Sequence, residues 1–99
     1  MAVYVRIMTS DTGSLVVAIC DKELLGKVFR EGDITLDVSR AFFEGDLMDA
    51  DEAVEYLHDA FTAIVVGEEA VNKAIEAGMV HPEAVLRVEG VPYAQIVRI

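Results

Sequence analysis

The sequence has one cysteine, two prolines, no tryptophan and only eight lysines and arginines. A lone thiol cannot close an internal disulfide, so the fold stands on its core without covalent staples. Cys20 falls in the apolar run Leu15 to Cys20, where a buried, inert thiol is expected rather than a reactive one. No stretch approaches the ~18 consecutive apolar residues of a membrane span. The opening Met1-Ala2-Val3-Tyr4-Val5-Arg6 lacks the layout of a signal peptide, so a cytoplasmic location without membrane contact is expected. Repeats, low-complexity segments and internal linkers are also missing, which points to one domain over residues 1–99.

What is present is apolar: 54% of the 99 residues are hydrophobic. Surface scaling gives a folded area of roughly 5,500 Å² against roughly 15,700 Å² unfolded, enough burial for a core. Apolar content this high exceeds what one small core needs. The excess is expected to line a groove or a subunit interface, so a homo-oligomer or an obligate partner is anticipated.

Charge is placed unevenly. Through Arg30, four bases (Arg6, Lys22, Lys27, Arg30) meet three acids (Asp11, Asp21, Glu23); beyond it, four bases face fifteen acids, for a net charge of −10. Between Glu44 and Asp59 stand seven acids, Glu44, Asp46, Asp49, Asp51, Glu52, Glu55 and Asp59, with no lysine or arginine among them. Such a face repels a phosphate backbone and attracts basic partners, with a strong dependence on ionic strength. The bland alternative is a solvated acidic surface suited to a salty cytoplasm.

Periodicity supplies the elements. Val3, Val5 and Ile7 alternate with Tyr4, Arg6 and Met8, Asp11-Thr12-Gly13 breaks the run, and Leu15 to Cys20 follows, so two strands joined by a turn are expected. Asp21 to Gly32 reads as a short helical turn and a loop, and Ile34, Leu36 and Val38 as a third strand. Asp49 to Phe61 reads as a helix capped by Asp49, with Ala53, Val54, Leu57 and Phe61 as its apolar stripe. Thr62 to Val66 is the next strand, Glu68 to Ala77 a second helix stopped by Gly78, Val85 to Val88 a strand, Glu89 to Pro92 a turn, and Tyr93 to Ile99 the last strand. Two main helices cannot cover both faces of five or six strands. The order therefore predicts an α+β fold, a two-layer α/β sandwich with a mixed sheet.

Chemistry-bearing motifs are sparse. Asp11-Thr12-Gly13-Ser14 resembles the active-site loop of a dimeric retroviral-type aspartic protease, in which two such aspartates share a proton. Met8-Thr9-Ser10 replaces the apolar lead-in, no glycine-rich flap follows and an acidic helix interrupts the strands, so a hairpin turn is preferred. His58 and His81 belong to no metal-binding pattern, and the acids from Glu44 to Glu52 lack the ordered spacing of a calcium loop; no metal or cofactor is called for. Val66-Gly67-Glu68 is the kind of junction that captures anions, yet Glu68 and Glu69 already place negative charge there. Ser10, Ser14 and Ser39 lie in no nucleophile-elbow motif. A small basic patch, Lys22, Lys27 and Arg30 with Arg6 as a possible neighbour, is the remaining candidate, and Phe42-Phe43 or Tyr93 are available to stack unpaired bases.

Four segments, Asp21-Lys22-Glu23-Leu24-Leu25-Gly26-Lys27, Phe42-Phe43-Glu44-Gly45, Ile64-Val65-Val66-Gly67-Glu68 and Gly90-Val91-Pro92-Tyr93-Ala94, together resemble an uncharacterised archaeal family of roughly hundred-residue proteins known only as a domain of unknown function. The resemblance spans nearly the whole chain and implies the same two-layer α/β sandwich. It transfers no activity, cofactor or catalytic residue. It does imply a role around the ribosome or an initiation factor, and the acidic half favours a protein contact to a basic translation component over direct RNA binding. Three readings follow. The leading one is a non-enzymatic interaction module whose acidic face docks a basic partner; the second is a weak RNA binder using Lys22, Lys27 and Arg30; the third is an enzyme or small-ligand protein with an unrecognised pocket.

Overall fold

The structure is a computed structural model that describes residues 2–98. Its strands are β1 (Ala2–Thr9), β2 (Leu15–Asp21), β3 (Val28–Glu31), β4 (Ile34–Asp37), β5 (Asp46–Asp49), β6 (Thr62–Val66), β7 (Leu86–Val88) and β8 (Val91–Val97). Helices α1 (Arg40–Phe43), α2 (Ala50–Ala53) and α3 (Glu68–Glu76) are joined by 3₁₀ turns at Lys22–Leu24, Val54–Asp59 and Pro82–Ala84. Six strands form one sheet in the order β5-β1-β2-β6-β8-β7, while β3 and β4 make a separate two-stranded ribbon. The sheet is mixed, because β2 and β6 run parallel and the other neighbours antiparallel. The α+β architecture is the one the element order indicates. The surface of 5678 Å² lies close to the value scaled from mass.

The central strand explains its own composition. Val17 and Ile19 of β2 face α2, the Val54–Asp59 turn and α3, whereas Ala18 and Cys20 face the ribbon and α1; all four are fully buried. A strand covered on both faces needs an unbroken apolar run rather than alternation, and Leu15 to Cys20 is that run. On the helix side, Val3, Val5, Ala63, Val65 and Ala94 complete the core with Leu57, Val71 and Ala74. On the ribbon side, Leu36, Val38 and Phe43 press onto Ala18, Cys20 and Val66.

The expected hairpin forms at Asp11 to Gly13, closed by the Ser10 N–H donating to the Ser14 carbonyl at 2.8 Å, and pairs β1 with β2. Asp11 thus sits at an exposed tip. The segment expected as one helix from Asp49 to Phe61 is instead a single α-turn followed by 3₁₀ structure. Buried positions fall at Ala50, Ala53, Val54, Leu57 and Ala60. Winding at three residues per turn brings Ala60 under Leu57 and rotates Phe61 outward, so Phe61 is 46% exposed rather than part of the stripe.

Two further differences have local causes. The loop expected between Asp21 and Gly32 contains β3, whose residues Val28 to Glu31 pair antiparallel with Ile34 to Asp37 of β4, and Val28 is exposed, so no alternation of burial marks the strand. Helix α1 and strand β5 are four residues each, too short to show a period. Gly45 permits the turn into β5, because a Cβ there would strike the Val5 carbonyl oxygen. The last turn contracts to Glu89-Gly90, both left-handed (φ 51° and 79°), which carries Val91 and Pro92 into β8. Ile99, expected as the end of that strand, and Met1, expected in the opening run, lie outside the described residues. Among the described residues no helix is long and apolar enough to cross a membrane.

The 3₁₀ winding has a measurable consequence. Leu57→Ala is expected to cost about 2–5 kcal/mol in urea unfolding. Phe61→Ala is expected to cost less than about 1 kcal/mol. An uninterrupted α-helix would have made the two losses comparable.

Candidate functional site

The strand–glycine–helix junction is already filled from within. Asp21, at the end of β2 and only 4% exposed, accepts hydrogen bonds from the backbone N–H groups of Glu69 (3.0 Å) and Ala70 (2.8 Å) at the start of α3. Gly67 makes this possible: its φ is 108°, and a Cβ would run into the Asp21 carboxylate. An aspartate 48 residues upstream thus supplies the cap that the helix's own N-cap glycine lacks. An external anion is not needed there. Burial pushes the Asp21 carboxyl above its ordinary 3.8, outweighing the two N–H donors that favour its ionised form. Next to it, burial foremost and the charges of Asp21 and Glu23 push the Cys20 thiol up to about 12, so the thiol is inert as expected.

All seven acids from Glu44 to Asp59 are exposed and follow one course of chain. Glu44 closes α1, Asp46 and Asp49 are the two ends of β5, the edge strand beside β1, and the other four continue through α2 and the following 3₁₀ turn. Bases of the same chain approach several of them: Arg40 lies 3.5 Å from Glu44, Lys73 of α3 3.1 Å from Asp51, and His58 3.8 Å from Glu55. The Asp51 contact, and the charge of Glu76 after it, raise the Lys73 pKa. Among the described residues no three of the acids, histidines or cysteine are arranged to hold a metal ion. His81 instead accepts the Glu83 N–H through Nδ1 at 3.0 Å, opening the Pro82–Ala84 turn.

Lys22, Lys27 and Arg30 are exposed along the Lys22–Leu24 turn, the base of the ribbon and β3. Arg6 is directed to the Glu44 carbonyl, 3.5 Å from its Nη1. A base the sequence reading passed over, Arg40, lies beside this segment: a Cβ on Gly26 would be 3.5 Å from the Arg40 Nε. The Arg30 end carries opposing charge. Glu89 accepts the Arg30 N–H and Glu31 accepts the Glu89 N–H, each at 2.7 Å, so two carboxylates clasp the ribbon to the β7–β8 turn.

A groove on the ribbon side was not legible as a whole. The ribbon and α1 cover only part of that sheet face, and Phe42, 40% exposed, overhangs what remains. Phe43, whose ring meets that of Phe42 edge-on with centroids 5.3 Å apart, is buried and fixes its neighbour outward. One lobe, about 180 Å³, is lined by Val16, Thr62, Ile64 and Val97; the other, about 530 Å³, by Thr35, Asp37, Ser39, Tyr93 and Gln95. Phe42, Ile64 and Gln95 belong to both. The sequence hinted at this only through the adjacent pair Phe42-Phe43, since two successive side chains of one helical turn do not share a burial direction.

The model of the family described as "Protein of unknown function (DUF424)" matches residues 8–99. The chain belongs to the DUF424 family. No curated protein matches it. A crystal structure of an uncharacterized conserved protein from Methanopyrus kandleri is similar at TM-score 0.82 and 25% identity, covering 100% of this chain and 96% of that one. Two glycines of the family-like segments have structural duties in this DUF424 fold: Gly67 admits Asp21, and Gly45 admits the Val5 carbonyl.

For Asp21 the pH effect has a definite sign. Its folded pKa lies above the unfolded one, so the native state holds the proton more tightly and this group's contribution to stability increases as pH falls through the folded pKa toward 3.8. Asp21→Ala, which strands two helix N–H groups, is expected to cost about 1–3 kcal/mol. The gap between wild type and variant should widen on acidification, read by urea titrations from pH 7 to pH 4.

Proposed function

We propose that this DUF424 protein is a non-enzymatic interaction module that contacts a basic partner through its acidic face, Glu44 to Asp59. One observation carries the reading: seven exposed carboxylates run from just before an edge strand through the helical turns after it, with no lysine or arginine between them in the sequence, Arg40 and Lys73 reaching Glu44 and Asp51 from elsewhere in the chain. Their field steers a cationic surface toward the protein and falls off with salt. A translation component is the partner class the family resemblance favours. Self-association is the alternative occupant of the exposed apolar surface. An RNA contact through Lys22, Lys27 and Arg30 is the weaker reading, since Glu31 and Glu89 lie beside Arg30.

Affinity capture from an archaeal lysate at moderate salt, in nuclease-treated and untreated halves, tests the reading. Basic proteins are expected in both halves. A variant carrying Asp46→Asn, Glu52→Gln, Glu55→Gln and Asp59→Asn is expected to retain less than about a fifth of them, each lost contact being worth a few tenths of a kcal/mol or more. Capture that disappears with nuclease would shift the assignment to RNA.

A further inference from the structure

The groove beneath Phe42 has a chemistry separate from the acidic face. Its small lobe is uncharged, lined by Val16, Thr62, Ile64 and Val97 under the Phe42 ring, and at about 180 Å³ it suits one large apolar side chain. Val97 and Phe42 are 64% and 40% exposed, so this apolar surface is in contact with water in the free protein. The larger lobe is mixed, with Thr35, Ser39 and Gln95 beside Leu36, Phe43 and Ile64, and Asp37 is the one residue lining it that is charged at neutral pH. That carboxylate is exposed at the end of β4 and takes part in no ion pair among the described residues. The two lobes adjoin at Ile64 and Gln95.

An occupant therefore has to present an apolar group and a cation side by side. In an extended chain, residues two apart point the same way about 6.6 Å from each other, which supplies that pair. We infer that the groove binds an extended peptide segment carrying a large apolar residue two positions from a lysine or arginine, the apolar side chain entering the small lobe and the cation meeting Asp37. Charge complementarity favours this occupant over an anionic one. It also argues against an acidic peptide or a nucleotide, which would face both Asp37 and the field of a chain with net charge −10. Gln95 and Thr35, exposed beside the groove, offer an amide and a hydroxyl for the segment's backbone. This site adds to the basic-partner reading without depending on the acidic face.

The test is a titration of the ¹⁵N-labelled full chain with three blocked peptides, acetyl-Gly-Leu-Ser-Lys-Gly-amide, its Leu→Gly form and its Lys→Glu form, followed by amide shifts. The parent peptide is expected to shift Phe42, Ile64 and Gln95. Loss of the leucine should weaken it about tenfold. Exchange of lysine for glutamate should weaken it about fivefold, and Asp37→Asn should erase most of that second difference. Phe42→Ala, or Val97→Ala if the first disturbs the fold, should weaken the two peptides that carry leucine and leave the Leu→Gly form unchanged. Shifts confined to residues 44–59 would overturn the groove while leaving the acidic face intact as a docking site. Equal binding of the lysine and glutamate forms would overturn the charge assignment, and no shifts at millimolar peptide would overturn the site. Concentration-dependent shifts at the groove in the absence of peptide would give it to a second copy of the chain, also against the inference.

Discussion

Two parallel strands at the middle of a sheet must be covered on both faces, and the rest of this fold follows from how β2 and β6 meet that requirement. Their backbones pair within the sheet, and apart from Asp21 and Thr62 at their ends their side chains on both sides are apolar, so water has to be excluded twice. Helical segments do this on one face. On the other lie a short ribbon, a four-residue helix and Leu24 and Leu25 of the preceding turn, which bury Ala18, Cys20 and Val66 but stop short of Val16 and Val97. The groove is the part of the second face that this small chain leaves uncovered.

Asp21 joins the two halves of the design. It ends the most buried strand and caps the helix that covers that strand, so one carboxylate ties sheet to helical layer. Placing an acid there is costly, as its raised pKa records, and the compensation is that four otherwise orphan donors at the head of α3 lose two of their number to it. The charge elsewhere on the protein is kept at the surface. Acids string along β5 and the turns after it, and Arg40 and Lys73 are drawn into ion pairs with Glu44 and Asp51.

Much of the fold was legible. The hairpin at Asp11 to Gly13, strand β6 and helix α3 have strong local signals: a turn cluster, a β-branched run ending in glycine, an amphipathic period with a left-handed stop. The short elements α1, β3 and β5 were not, because none of them carries the apolar alternation that marked β4, itself four residues long. The 3₁₀ stretch was misread for a subtler reason. Leu57 pairs with Phe61 at the α spacing and with Ala60 at the 3₁₀ spacing, and it is Ala60 that is buried with Leu57 while Phe61 is exposed.

Composition and pattern by themselves determined that the chain is acidic, that its thiol is buried, and that an α+β layer structure with a mixed sheet would form, since these depend on residue type and short-range period alone. Tertiary structure decided the rest. The contact of Asp21 with residues 69 and 70, the approach of Arg40 to Gly26, the clasp between Glu31 and Glu89, and the meeting of Asp37, Phe42 and Val97 around one groove all join residues far apart in the chain or turned by packing. Local pattern says which way a side chain faces along its own strand or helix. Which other element it then meets is fixed by strand order and layer packing, where the free energy of burying both faces of β2 and β6 outweighs any local preference.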